Sequence, residues 1–321
     1  MTINKMETTD IASQISKDIS LYREKRQKKL YRIADSFTKK EIVIEIGVFL
    51  LITFGLMLIF GWKAYSGTDE EAGFTGLDML FYYLSGFSPA IGCIMVRYFF
   101  HEGFRDDILF PKFTGHFTGY FLSVLLPILF GILNCIFITI VLGAGFTVKA
   151  EGGILEVVAA LAIYSMMTYT SAFILIGEEL GWRAFLYDKL EKLVGLHGSI
   201  IIGGIIWGLW HIPPLISVGL NFGKNAPGFP ITNILLMCVF CIFGGAMLQM
   251  LRKMTDSVIA PIIAHAVIDT ICNPIATMFL SEKIAEGKNF QMGICMLMSS
   301  VLIGLPCWIY MAYQSKENSK G

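Results

Sequence analysis

The chain has 321 residues, 55% of them hydrophobic and only 16% charged, with a formal net charge of zero. Soluble domains carry roughly 45–50% apolar residues and about 25% charge, so this composition excludes an ordinary soluble protein and points to lipid as the solvent. The balanced charge gives no support to a nucleic-acid partner.

Residues 1–41 are polar and of mixed charge, with a partly helical pattern at Leu21, Tyr22, Leu30 and Ile33. This segment is expected on the cytoplasmic side, against anionic lipid head groups. No cleaved signal peptide is expected, because the first apolar run follows a charged stretch. Apolar runs then occur at about 43–62, 78–100, 117–143, 154–177, 199–221, 231–251, 257–280 and 290–313. Each approaches or exceeds the ~20 residues that cross a ~30 Å hydrocarbon core. The third is long for one crossing and is expected to tilt or kink near Pro127. No sustained apolar–polar alternation supports strands. The expected fold is therefore all-α and polytopic, with about eight transmembrane helices over 42–314 and a tail at 315–321. Helices satisfy their own backbone hydrogen bonds in lipid. No internal repeat of the kind found in transporters is evident.

Cytoplasmic loops carry the Lys and Arg excess. With the N-terminus inside, ten basic residues precede Ile42. Arg97, Arg105, Lys112, Arg183, Lys189, Lys192, Arg252, Lys253, Lys316 and Lys320 also fall inside, which makes 20 of 25. Lys63, Lys149, Lys224, Lys283 and Lys288 fall outside. The expected topology is N-in/C-in, in a plasma membrane. The seven cysteines (Cys93, Cys135, Cys238, Cys241, Cys272, Cys295 and Cys307) all lie in the runs and read as small buried hydrophobes, including the C-x-x-C at 238–241.

Ionisable residues inside membrane helices are costly, so each is a functional candidate. In Gly177-Glu178-Glu179-Leu180-Gly181-Trp182-Arg183, a helix puts Glu179 and Arg183 on one face as an ion pair. Glu178 points about 100° away, toward a cavity. Mutual repulsion and burial make it costly to charge both carboxylates, which suits one of them to accept a proton as a general base. In Trp207-Gly208-Leu209-Trp210-His211-Ile212-Pro213-Pro214, the prolines interrupt the helix directly after His211. In His265-Ala266-Val267-Ile268-Asp269, the acid stands one turn from the imidazole and is placed to orient it or balance its charge. Glu45, Asp78, Asn134 and Asn273 read as interhelical hydrogen-bonding residues. His101, His116 and His197 read as solvated boundary residues.

Taken together, Glu178-Glu179-x-x-x-Arg183, Trp207-x-x-x-His211 and His265-x-x-x-Asp269 resemble the E-E-x-x-x-R, F-x-x-x-H and H-x-x-x-N/D motifs of the CAAX-processing and bacteriocin-processing membrane endopeptidases. This is the CPBP or Abi family, which includes the type II CAAX prenyl endopeptidases. The resemblance covers about 150–280, the expected catalytic core. It implies a membrane endopeptidase in which Glu178 activates water with help from His211. His265 and Asp269 would stabilise the oxyanion, while Glu179 and Arg183 shape the site. Trp207 departs from the usual Phe, which keeps an aromatic body but alters the groove. Asp269 places a charge where other members have an amide.

The resemblance implies as substrate a lipidated CAAX-type protein, a bacteriocin or signal-peptide leader, or another membrane-associated peptide. The alternative is a non-catalytic immunity or scaffold protein of the same fold. The resemblance leaves a metal requirement open, and water activated by Glu178 without an obligatory metal is the expected route. A Zn²⁺ ion, if bound, would take His211, His265 and Glu178 as ligands and water in fourth place, but the H-E-x-x-H helix of zinc proteases is absent. For the motifs to share one depth, the fifth helix is expected to start near Gly203. Asp188–Ile202 would then be an interfacial or re-entrant segment, helped by Gly195 and Gly198. The site is expected in the cytoplasmic half of the bilayer.

Overall fold

A computed structural model describes residues 17, 37–66, 76–103, 110–143, 172–272 and 287–318. The pattern at Leu21–Ile33, the first part of the fourth apolar run, the last part of the seventh and Asn273 lie outside the described residues. Among those described, the fold is all-α. Five helices are long and apolar enough to cross a membrane, and six if a bent pair counts as one span.

Helix α1 (Lys39–Leu56) opens on a capping box. Thr38 Oγ1 accepts from the Glu41 amide at 3.3 Å, and Glu41 Oε2 accepts from the Thr38 amide at 2.8 Å. The helix continues through a π-helical turn, Met57–Gly61, and Trp62–Ser66. Helices α2 (Leu77–Gly86) and α3 (Ser88–Phe99) are the second apolar run, bent by 51° between them. Pro89 sits in the first turn of α3, where a missing amide hydrogen costs nothing, and it cannot extend α2. Helix α4 (Phe117–Leu142) is one helix with Pro127 buried inside it.

The largest departure from the sequence-based expectation is the next element, α5 (Ala172–Trp210). Its fourth-run helix runs on past Arg183, as a shared depth for the three motifs requires. It passes through a π-helical turn, Trp182–Leu186, and continues to Gly195, whose φ of 73° and ψ of 178° break the helical path. Glycine tolerates that conformation because it has no Cβ. The chain then reverses. Trp207 and Glu178 are in hydrogen-bond contact, whereas 29 residues of straight helix would hold them about 43 Å apart. A Cβ on Gly203 would meet the Tyr187 ring at 2.7 Å, and these two residues lie eight positions either side of Gly195. Thus α5 is a helical hairpin. Residues 188–202 form the ends of its two helical arms on either side of Gly195, and the second arm starts at Leu196 rather than near Gly203. Glu178 and His211 reach one level because they lie almost equally far, about 25 Å, from the tip.

Helix α6 (Ile212–Val218) starts after His211, with the proline pair in its first turn. Helices α7 (Ile231–Thr255), α8 (Ile259–Val267, continued by the π-helical turn Ile268–Cys272) and α9 (Asn289–Asn318) complete the described fold. Helix α7 packs on the α5 hairpin and on α9, and α4 packs on α8 and α9.

Glycine spacing lets both arms approach their neighbours backbone to backbone, as small residues four apart do in membrane helices. On the first arm, a Cβ on Gly177 would meet Phe87 Cα at 2.8 Å, and one on Gly181 would meet Pro89 C at 2.6 Å. On the second arm, a Cβ on Gly204 would stand 2.5 Å from Ile242 Cα, and one on Gly208 2.5 Å from Cys238 Cα. These obstacles are backbone and cannot rotate away. Gly208→Ala is expected to cost about 1–3 kcal/mol, read as a lower melting temperature in detergent; an unchanged melting point would refute the close packing.

The cysteines at 93, 135, 238, 241, 295 and 307 are free and buried, as small hydrophobes. Three cations assigned to inside loops are not solvated. Arg97, Arg183 and Lys189 are buried in ion pairs. Charges from three elements do gather on the tip side of the first arm, about 6–10 Å short of Gly195 along the helix, where Arg252 Nη2 lies 3.3 Å from Asp188, Lys253 Nζ 2.6 Å from Glu191, and Lys112 Nζ 2.8 Å from Asp256. His116 and His197 are engaged there too, with Met254 O and the Trp308 indole.

Candidate active site

The first arm of α5 presents Glu178 and Glu179 from a helical turn held against the α2–α3 bend by Gly177 and Gly181. Glu179 faces inward and is fully buried. Arg183 Nη1, one turn on, donates to its Oε1 at 3.0 Å. This is the ion pair that the i,i+4 spacing requires. His265 on α8 donates from Nδ1 to the same oxygen at 2.8 Å. Glu179 therefore joins two of the three motifs directly.

His265 is oriented by Glu179, not by its own i+4 neighbour. Asp269 Oδ2 lies 3.8 Å from Nε2, beyond hydrogen-bond range, and its side chain is 47% exposed. Asp269 remains close enough to compensate charge on the ring, so the imidazole stands between two carboxylates.

Glu178 and His211 meet through Trp207. The indole Nε1 donates to Glu178 Oε2 at 3.0 Å, and the Trp207 carbonyl accepts from His211 Nδ1 at 2.8 Å. A carbonyl only accepts, so Nδ1 carries the hydrogen, and His211 Nε2 is the nitrogen left for substrate or water. The Trp207 ring lies against the Arg183 guanidinium, 4.2 Å from centroid to Cζ. It also meets His265 edge-on at 5.3 Å. Trp210 anchors the second arm by donating to Ser88 Oγ at 3.1 Å and by a T-shaped contact with Trp182.

Four of the six candidate residues (Glu178, Arg183, His211 and His265) thus contact Trp207, Glu179 bridges Arg183 and His265, and Asp269 stands at the more open edge. The site lies about 13–15 Å from the tip charges, counting from Asp188 to Glu178 along α5 and from Asp256 to His265. Tyr65 and Tyr82, which pack ring to ring at 6.1 Å, stand near enough to Glu178 and Asp269 to feel both charges. Nothing local in the sequence links these tyrosines to the motifs. The two Gly-x-x-x-Gly spacings that seat the arms are, by contrast, a signal present in the sequence.

Among the described residues, no three His, Cys, Asp or Glu side chains are grouped so as to hold a metal ion. His211, His265 and Glu178, the Zn²⁺ set suggested by the motifs, are accordingly not gathered as a ligand cage.

Residues 160–271 match the model of the family described as type II CAAX prenyl endopeptidase Rce1-like, so the chain carries an Rce1-like domain of the CPBP family. That segment contains all six candidate residues. A stretch of 56 residues is 39% identical to CAAX prenyl protease 2 of Methanococcus maripaludis. It covers 17% of this chain and 18% of that protein's length.

Proposed function

We propose that this chain, built around an Rce1-like domain, is an intramembrane endopeptidase that cleaves a prenylated CAAX-type protein or another membrane-associated peptide. The observation that carries this reading is the convergence of Glu178, His211 and His265 on Trp207 inside an apolar helical bundle. Glu178 is the general base. It takes a proton from water while the water oxygen bonds to the scissile carbonyl carbon. The resulting oxyanion faces the Nε2 side of His265, whose orientation Glu179 fixes and whose charge Asp269 balances. When the C–N bond breaks, the proton held by Glu178 passes to the leaving amine, with His211 Nε2 placed to assist. Arg183 neutralises Glu179 and braces Trp207.

The same reading has the chain crossing the plasma membrane eight times, with both ends cytoplasmic. The α5 hairpin supplies two crossings, and the charges at its tip mark the cytoplasmic surface. The site then sits in the cytoplasmic half or close to the midplane, open to a substrate arriving along the membrane.

The test uses purified protein in phosphatidylcholine vesicles with an internally quenched, farnesylated CAAX peptide. Glu178→Gln should lower the cleavage rate about 10²–10⁴-fold while leaving the melting temperature unchanged. A variant that cleaves at the wild-type rate would end the assignment of Glu178 as base. Binding of the peptide without cleavage by either protein would instead favour a non-catalytic scaffold.

A further inference from the structure

We propose that Trp207 is a positioning residue for the hydrolysis, holding the general base through its indole N–H. This rests on the endopeptidase reading above. The related motif has phenylalanine here, which offers no donor, so the hydrogen bond comes from the residue by which this chain departs from the pattern.

Three contacts define the role. The indole N–H binds Oε2 of Glu178 at 3.0 Å, which leaves Oε1 as the oxygen to meet water. The ring face rests on the Arg183 guanidinium at 4.2 Å, and a cation on that face draws electron density from the indole and makes its N–H a stronger donor. The backbone carbonyl fixes the Nδ1 hydrogen of His211. One buried side chain therefore sets the carboxylate rotamer, and its own backbone sets the histidine tautomer. The N–H hydrogen bond weakens as Glu178 takes up a proton, so its effect on rate is through orientation, and a base misplaced by about 1 Å costs on the order of 10²-fold.

Trp207→Phe separates these contacts. It keeps an aromatic ring for Arg183 and the carbonyl for His211, and it deletes the N–H. The expected result is kcat lowered about 10- to 100-fold, with KM within about twofold of wild type. Because Phe is smaller, a second variant carries 3-benzothienylalanine at 207, which replaces the N–H with sulfur at nearly constant shape. It should match the kcat loss and keep the wild-type melting temperature. Wild-type kcat in the benzothienyl variant would overturn the proposal.

A spectroscopic measurement needs no substrate. The chain has five tryptophans, and indole-¹⁵N labelling gives one N–H resonance for each. The resonance lost in Trp207→Phe should shift upfield in Glu178→Ala; no shift would also overturn the proposal. If Glu178→Gln cleaved at the wild-type rate while that shift was present, the assignment of Glu178 as base would fall and the hydrogen bond would stand. If Glu178→Gln were dead and the benzothienyl variant fully active, the reverse would hold.

Discussion

Replacing Arg183 with alanine should destabilise the protein by about 3–5 kcal/mol and reduce cleavage about 10³-fold or more. Arg183 and Glu179 are both fully buried. Removing the guanidinium strips Glu179 of its 3.0 Å partner and leaves a carboxylate in an apolar interior with His265 as its remaining ligand. It also removes the cation from beneath the Trp207 ring, and so loosens the group that holds Glu178. Stability and chemistry should fall together, because one side chain supports both carboxylates. Arg183→Lys restores a charge without the planar, stacking guanidinium, so it should recover stability better than rate. The double variant Glu179→Gln/Arg183→Met removes both charges. It should regain most of the melting temperature and little of the activity, since a buried pair is often replaced by apolar groups at small cost. If Arg183→Ala melted with the wild type, the buried pair as described would be wrong.

Lys189→Ala should cost a similar amount, about 3–5 kcal/mol, with a different signature in the kinetics. Lys189 Nζ lies 2.6 Å from Glu45 Oε2 and 3.0 Å from Glu102 Oε2, and Arg97 Nη1 lies 3.5 Å from Glu102 Oε1. These four buried groups sum to zero charge and fasten the first arm of α5 to α1 and to the end of α3. Arg97 adds hydrogen bonds to the carbonyls of Gly103 and Ala184, and the Phe185 ring lies 4.9 Å from Lys189 Nζ. Without Lys189, two buried carboxylates share one arginine. Lys189 lies a turn and a half along α5 from Arg183. The protein that remains folded should keep kcat within a few-fold of wild type. Glu45→Gln/Lys189→Met should recover most of the lost melting temperature. A kcat that collapsed in fully folded Lys189→Ala would mean that the network acts on the chemistry and not only on the scaffold.

Everything the sequence settled is local. Apolar runs of membrane length fix the helices because lipid leaves the backbone no other way to bond itself. The 3.6-residue period puts Arg183 on the face of Glu179, and the proline pair interrupts the helix at His211. The three motifs identify the domain, and the flagged Gly195 marks the place where the chain turns.

What the sequence left open concerns contacts between helices. The pairing period made Asp269 the natural partner of His265, yet the arm carrying Glu179 brings a better-placed oxygen to Nδ1. Lys189 reads as a loop cation because its neighbours are charged, but Glu45 and Glu102, distant in sequence, enclose it. Trp207 reads as packing because its N–H has no partner within its own helix. Its acceptor, Glu178, comes within reach only when α5 folds back at Gly195. In each case a single helix offers several side-chain directions of similar energy, and packing against the neighbouring helix selects the one in which buried polar atoms find partners.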